Sequence, residues 1–199
     1  MVKKIFFSLC FLVTGLSLCF LRQAHAVNLR LTPVQIQEAV EYGQKNKNLD
    51  MAVFSEAWTV SLGKGKGFAT LFTPYHNIAY KTKKLAVERK EITRREIQDA
   101  LQISDSLAFS VTVYGDEYDF ASRYSAVLYQ EDAIIQPEFE FIPEIADASE
   151  FWPDTPSNIA RLVFKFPVND VDLNTPVTFV VQVPGGEEIS FNFDLSKIK

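Results

Sequence analysis

Residues that could carry chemistry are few in this chain, and His76 is the first of them. The 199 residues contain two histidines, and the other, His25, falls in an N-terminal stretch with the character of a leader. His76 follows Thr73-Pro74, a pair that opens helices, so the sequence predicts it in a first helical turn. There the positive pole of the helix disfavours imidazolium, which suits a neutral general base or ligand. A hydrolase built on His76 would need partners from elsewhere in the fold: no carboxylate lies close by in sequence, and no G-x-S-x-G occurs. A carboxylate pair is the other hydrolytic route, and it asks for two acids about 5–10 Å apart. Residues 105–199 hold 17 Asp+Glu, so such pairs arise by chance and identify nothing.

Oxygen donors for calcium come in two clusters. Asp170-Val171-Asp172-Leu173-Asn174 has the D-x-D-x-N opening of an EF-hand loop, but Thr175 stands where that loop needs glycine and Val181 where it needs the bidentate glutamate. The second cluster is Asp116-Glu117-Tyr118-Asp119. Asp116, Glu117, Asp119, Asp170, Asp172 and Asn174 are thus weak calcium candidates, with Asx-type turn formation as the plainer role. Gly63-Lys64-Gly65-Lys66-Gly67 has neither the dinucleotide nor the Walker spacing and leads into a strand-like stretch, so it reads as a hairpin tip. Lys64 and Lys66 on that tip, with Tyr118, Phe120, Tyr124 and Trp152 on or near loops, are the candidate partner-binding residues. No catalytic residue, cofactor or bound metal is assigned.

The first 26 residues set the compartment. Lys3 and Lys4 precede an apolar run of 17 residues, Ile5 to Leu21, and Ala24-His25-Ala26 offers the small-x-small pattern of signal-peptidase cleavage. Two other readings stay open: an uncleaved anchor, for which the run is short, and a lipid-modified Cys19, disfavoured by bulky Leu18 before it. Cys10 and Cys19 both lie in this segment, so a chain cleaved after Ala26 has no disulfide, thiolate zinc site or cysteine nucleophile. The expectation is a bacterial periplasmic or secreted protein that relies on its core.

Those residues must be positioned by two kinds of element. Residues 27–104 are predicted to form helices and one hairpin. Thr32-Pro33 with Gln35, Thr73-Pro74, and Thr93 with Glu96 are three N-terminal signatures, two of them capping boxes. Ile36, Ala39, Val40 and Gly43 then keep one helical face. Trp58-Val60-Leu62 and Phe68-Thr70-Phe72 alternate like two paired strands. From residue 105 the period becomes two. Six strands are predicted around 107–113, 124–128, 139–141, 160–166, 177–183 and 189–195, with Arg161 and Lys165 facing away from the apolar side of the fourth. Six one-sided strands must be covered by a second sheet, so residues 105–199 are expected to form an antiparallel β-sandwich of immunoglobulin-like architecture, lacking the Cys…Trp…Cys signature. The whole is an α+β chain.

Charge divides along the same line. Residues 27–104 carry 12 Lys+Arg against 8 Asp+Glu, and residues 105–199 carry 5 against 17. A net charge of −5 for the full chain argues against nucleic acid as a ligand, and the basic run over 81–95 fits a solvated helical face. The sequence therefore points to an exported, non-catalytic binding or assembly module that acts on another exported protein or on itself. A carbohydrate-binding or calcium-dependent adhesion sandwich is the alternative, and a hydrolase using His76 or a carboxylate pair is the third. Membrane contact is expected only through the leader or a lipid on Cys19. Mass spectrometry of the exported protein should find Val27 at its N-terminus. A mass that retains residue 1, or a diacylglycerol on Cys19, would replace cleavage at Ala26 with one of the other two readings.

Overall fold

A computed structural model describes residues 27–102 and 105–199. The leader, the expected cleavage at Ala26, and Cys10 and Cys19 lie outside the described residues. Within them the chain is mixed helix and antiparallel sheet, with four α-helices and ten strands.

The three N-terminal signatures open the three longer helices. α1 (Pro33–Lys45) carries the full Thr32–Gln35 capping box, α3 (Pro74–Val87) is capped by the Thr73 hydroxyl, and α4 (Arg94–Leu101) carries the Thr93–Glu96 box. α2 (Met51–Phe54) is a single turn capped by Asp50, and no periodicity predicted it because four residues are too short to show one. α1 and α3 pack closely at Gly43. A Cβ there would lie 2.3 Å from the Ala79 carbonyl oxygen and 2.8 Å from the Thr82 Cβ, so only glycine admits α3 at this distance. Lys83 is an exception to the solvated basic face. It is buried, and its ammonium donates to the carbonyls of Asn46, Lys47 and Leu49, closing the chain that leaves α1.

One sheet has the order β1 (Thr59–Ser61), β2 (Phe68–Phe72), β3 (Ser106–Gly115), β8 (Asn158–Pro167), β6 (Phe139–Phe141), with β7 (Asp147–Ala148) also on β8. The other has the order β10 (Glu188–Asp194), β9 (Pro176–Gln182), β4 (Ser125–Gln130), β5 (Ala133–Ile135). The strands β5 and β7, at three and two residues, were invisible to a period-two reading. Phenylalanines join the sheets. Phe179 of β9 stacks on Phe109 of β3 at 4.8 Å and meets Phe164 and Phe166 of β8 at 5.9 and 6.0 Å. Each fully buried phenylalanine of this kind contributes roughly 1.5–3 kcal/mol.

The hairpin from the first portion and the strands of the second share a sheet. β2 pairs with β3 from Phe68↔Thr112 to Phe72↔Ala108. The three ion pairs among the described residues, Lys81–Glu96, Lys90–Glu88 and Lys197–Asp194, each stay within one portion, so backbone ladder and apolar packing make the join rather than opposite charge. Further ties come from the chain's far end: Trp58 Nε1 and the Thr73 hydroxyl both donate to the Lys199 carbonyl, at 2.8 and 2.7 Å, and the Val27 amide donates to Leu195.

In two strands the bulkier residues of the alternation are not the buried ones. In β2 the core side chains are Ala69 and Leu71, whereas Phe68, Thr70 and Phe72 point to the outer face. Phe139 and Phe141 of β6 are also exposed on that outer face rather than core. The period was right in both cases; bulk misled, because neighbours across the ladder decide which side is buried. Replacing Gly43 with alanine should lower stability by about 1–3 kcal/mol through overpacking. Urea unfolding of Gly43→Ala beside Val34→Ala, an exposed position on the same helix, would measure it; equal midpoints would refute the close approach.

Candidate functional site

Directly opposed residues of an antiparallel pair share a face, so the registers map the outer surface of the first sheet. One row runs Ser61, Phe68, Thr112, Arg161; the next runs Thr59, Thr70, Ser110, Val163, Phe141; the third runs Phe72, Ala108, Lys165, Phe139. Part of this surface lies beneath the residues of α2 and α3. Between them is a cleft of about 550 Å³, lined by Met51, Ala52, Ser55 and Glu56, by Thr59, Ser61, Phe68, Thr70, Phe72, Ser110, Thr112 and Arg161 of the sheet, and by His76 and Tyr80 from α3. Ala108, Ser110 and Thr112 on this side of β3 are buried, as are Leu107, Phe109, Val111 and Val113 on the opposite side.

Most hydroxyls on the floor of the cleft bond to one another or to the chain beside them. The Thr59 and Thr70 hydroxyls lie 2.8 Å apart, and Thr59 also donates to the Ser55 carbonyl at 2.9 Å. Arg161 Nε donates to the Ser110 hydroxyl at 2.8 Å, and its guanidinium lies 6.0 Å from the centre of the Phe72 ring. No carboxylate pairs with Arg161 among the described residues.

His76 is in the first turn of α3, as its position after Thr73-Pro74 implied, and it is 1% exposed. Its Nε2 lies 3.0 Å from the Ser55 hydroxyl, while Nδ1 is buried without a partner among the described residues. Trp58, Phe72, Phe54 and Tyr80 surround the ring at 4.8, 5.3, 6.2 and 6.3 Å between centroids. Burial in this aromatic cage pushes the imidazole down to about 4. A serine and a histidine thus meet as a nucleophile and base would, but nothing orients the ring through Nδ1 and its basicity is weak. The pair reads as a packed, half-satisfied hydrogen bond in the wall of the cleft.

The other predicted residues sit apart from this cleft. Lys64 lies over the Phe151 ring at 5.0 Å, and Gly65 backs onto that same ring, so the hairpin tip is docked on the β7–β8 loop; Lys66 is exposed beside it. Phe120 covers Gly115 and meets Tyr124 edge-on at 5.7 Å, both half-buried against the core. Tyr118 and Trp152 are 63% and 67% exposed. Asp116 is held to the chain before β8: its carboxylate accepts from the Ser157 amide and its carbonyl from Asn158. Asp172 accepts from both the backbone and side chain of Asn174, which hold its carboxyl below the ordinary range. Glu117, Asp119 and Asp170 are on the same two loops. Among the described residues no three His, Cys, Asp or Glu side chains gather as a metal site would require.

Sequence reasoning placed Arg161 and Lys165 on the outer side of their strand but could not see what covers them. Ser55 and the cleft hydroxyls carried no signal, since only the approach of α2 and α3 to the sheet brings them together. Comparison of the chain with protein-family models, curated proteins and solved structures gives no match.

The buried imidazole has a measurable consequence. Above pH 6.5 it is neutral both folded and unfolded; between 6.5 and about 4 the unfolded chain takes up a proton that the folded chain refuses. Stability should therefore fall as pH drops through that window, by about 3 kcal/mol in all. Glu88, Glu96, Asp172 and Asp194 are held below their ordinary ranges and titrate beneath most of it. Urea unfolding at several pH values should show this slope in the wild type and a flatter one in His76→Gln; identical slopes would contradict it.

Proposed function

We propose that this protein is an exported, non-catalytic binding or assembly module that works by contact with another protein, built on an immunoglobulin-like sandwich with a helical layer over one face. The strand orders support the architecture: β2-β3-β8-β6 and β10-β9-β4-β5 correspond to the A-B-E-D and G-F-C-C′ sheets of that fold, with β1 added at one edge. The helical layer is an addition to it.

The observation that carries the reading is the uncovered part of the first sheet's outer face. Phe139 and Phe141 are 47% and 54% exposed there, on a strand with a neighbour on one side only. Lys165 lies over the Phe139 ring at 4.9 Å and forms no ion pair among the described residues. Exposed rings beside an unpaired cation, next to an open strand edge, are what an extended segment of a partner needs to add a strand and seat side chains. Tyr118 and Trp152 favour the second reading, a carbohydrate-binding sandwich. They are exposed on the β3–β4 and β7–β8 loops, which the Asp116–Asn158 hydrogen bond brings to one end of the molecule.

A chain cleaved after Ala26 has no native thiol, so a single introduced cysteine gives a unique cross-linking position. A photo-cross-linker on Phe141→Cys should trap a protein partner, or a second copy, in the native compartment. The same reagent on Ser190→Cys, exposed on β10, should not. Equal trapping at both positions, or none at 141 together with binding to a glycan array, would replace this reading with the second.

A further inference from the structure

We infer that the open cleft between the first sheet and α2–α3 is a binding site for a small monocarboxylate with an apolar body, with Arg161 as the group that takes the carboxylate. The site goes beyond the protein-contact reading and does not depend on it, because it uses the part of the face beside α2 and α3 and not Phe139 or Phe141.

Each wall of the cleft limits what a ligand can be. At about 550 Å³ the cleft has the size of a small-molecule site. Met51, Ala52, Phe68, Phe72 and Tyr80 line it with apolar and aromatic surface. The hydroxyls of Thr59, Thr70 and Ser110 are engaged with one another, with the Ser55 carbonyl or with Arg161, so they do not call for a polar ligand body.

One charged donor is left over, beside the Thr112 hydroxyl, for which no hydrogen bond is seen among the described residues. Arg161 spends Nε on Ser110 and lies near the Phe72 ring, which orients the guanidinium, while its Nη groups have no hydrogen-bond partner among the described residues. An oriented guanidinium with two free nitrogens matches a carboxylate in bidentate fashion, and Arg does this where Lys would not. It is the one cation lining the cleft: His76 is neutral at physiological pH and its Nε2 is taken up by Ser55. A phosphate ester, with two charges and more oxygens, would find a single arginine and no free helix end, since Thr73 caps α3. Glu56 is the one carboxylate in the lining. It repels an anion, so it limits affinity and its removal should increase it.

The test is isothermal titration of the chain lacking residues 1–26 with matched acid and amide pairs. 3-Phenylpropanoate is paired with 3-phenylpropanamide, octanoate with octanamide, and the peptide Gly-Gly-Phe with its C-terminal amide. At least one acid should bind and its amide bind about tenfold more weakly or not at all. Small acids binding as well as the peptide would identify a free carboxylic acid as the ligand source; the peptide alone binding would identify a polypeptide terminus. Arg161→Met should weaken the acid about tenfold and lower the melting temperature only slightly, since the side chain is exposed and loses one hydrogen bond to the buried Ser110 hydroxyl, and Arg161→Lys should restore only part of the affinity. Glu56→Gln should strengthen binding. The proposal is overturned if amides bind as tightly as acids, if Arg161→Met binds like the wild type, or if no acid in the panel binds. None of these outcomes touches cross-linking at position 141, so the two readings fail separately.

Discussion

The pairing of β2 with β3 is the constraint from which the rest of the structure follows. It makes a strand from the helical portion part of the same sheet as the strands that come after residue 105. Once β2 is in place, α3, which begins two residues after it, starts at the end of that strand and brings His76 and Tyr80 to the cleft beside the sheet's outer face. β3 thereby becomes buried on both sides, and the surface that would have been an ordinary solvated sheet face is divided into a covered part and an open part. Thr73 sits at the hinge of this arrangement, capping α3 with one hydrogen bond and holding the Lys199 carbonyl with another.

Two apolar cores support that division. The phenylalanines between the sheets centre on Phe179, and Tyr42, Phe54, Trp58 and Tyr75 form a second aromatic group under the helices. Both belong to one contiguous buried cluster, so neither portion closes its core alone. Polar groups trapped between them are mostly satisfied in ways that hold chain segments together: Lys83 on three carbonyls, the Tyr42 hydroxyl on Phe54, the Trp58 indole on Lys199. Nδ1 of His76 is an exception, and its low basicity follows from the same burial that leaves it unpaired. A chemically suggestive residue ends up as part of a wall because its neighbours are rings rather than carboxylates.

Much of the local structure was legible in advance. Thr32, Thr73 and Thr93 marked helix starts because an N-cap is a contact within three residues, decided before any tertiary packing. The Asp172–Asn174 turn was legible for the same reason. Strand periods at 107–113, 160–166, 177–183 and 189–195 were also visible, since alternation records a face buried over many residues. What misled was bulk: Phe68, Phe72, Phe139 and Phe141 look like core by composition, yet the ladder turns them outward. Of the predicted partner-binding residues, Phe120 and Tyr124 are half-buried against the core, while Tyr118 and Trp152 are exposed.

The amino-acid order alone thus determined caps, turns, the change of period near residue 105 and the opposite charge of the two portions, because each is a local or compositional property. Tertiary structure decided which side of each strand is wet, that Ser55 meets His76, and that Arg161 faces the cleft with no carboxylate paired to it among the described residues. Those outcomes depend on contacts between residues 21 to more than 100 positions apart, such as Ser55 with His76 and Trp58 with Lys199, and side-chain type at one position carries no information about a neighbour that only chain folding supplies.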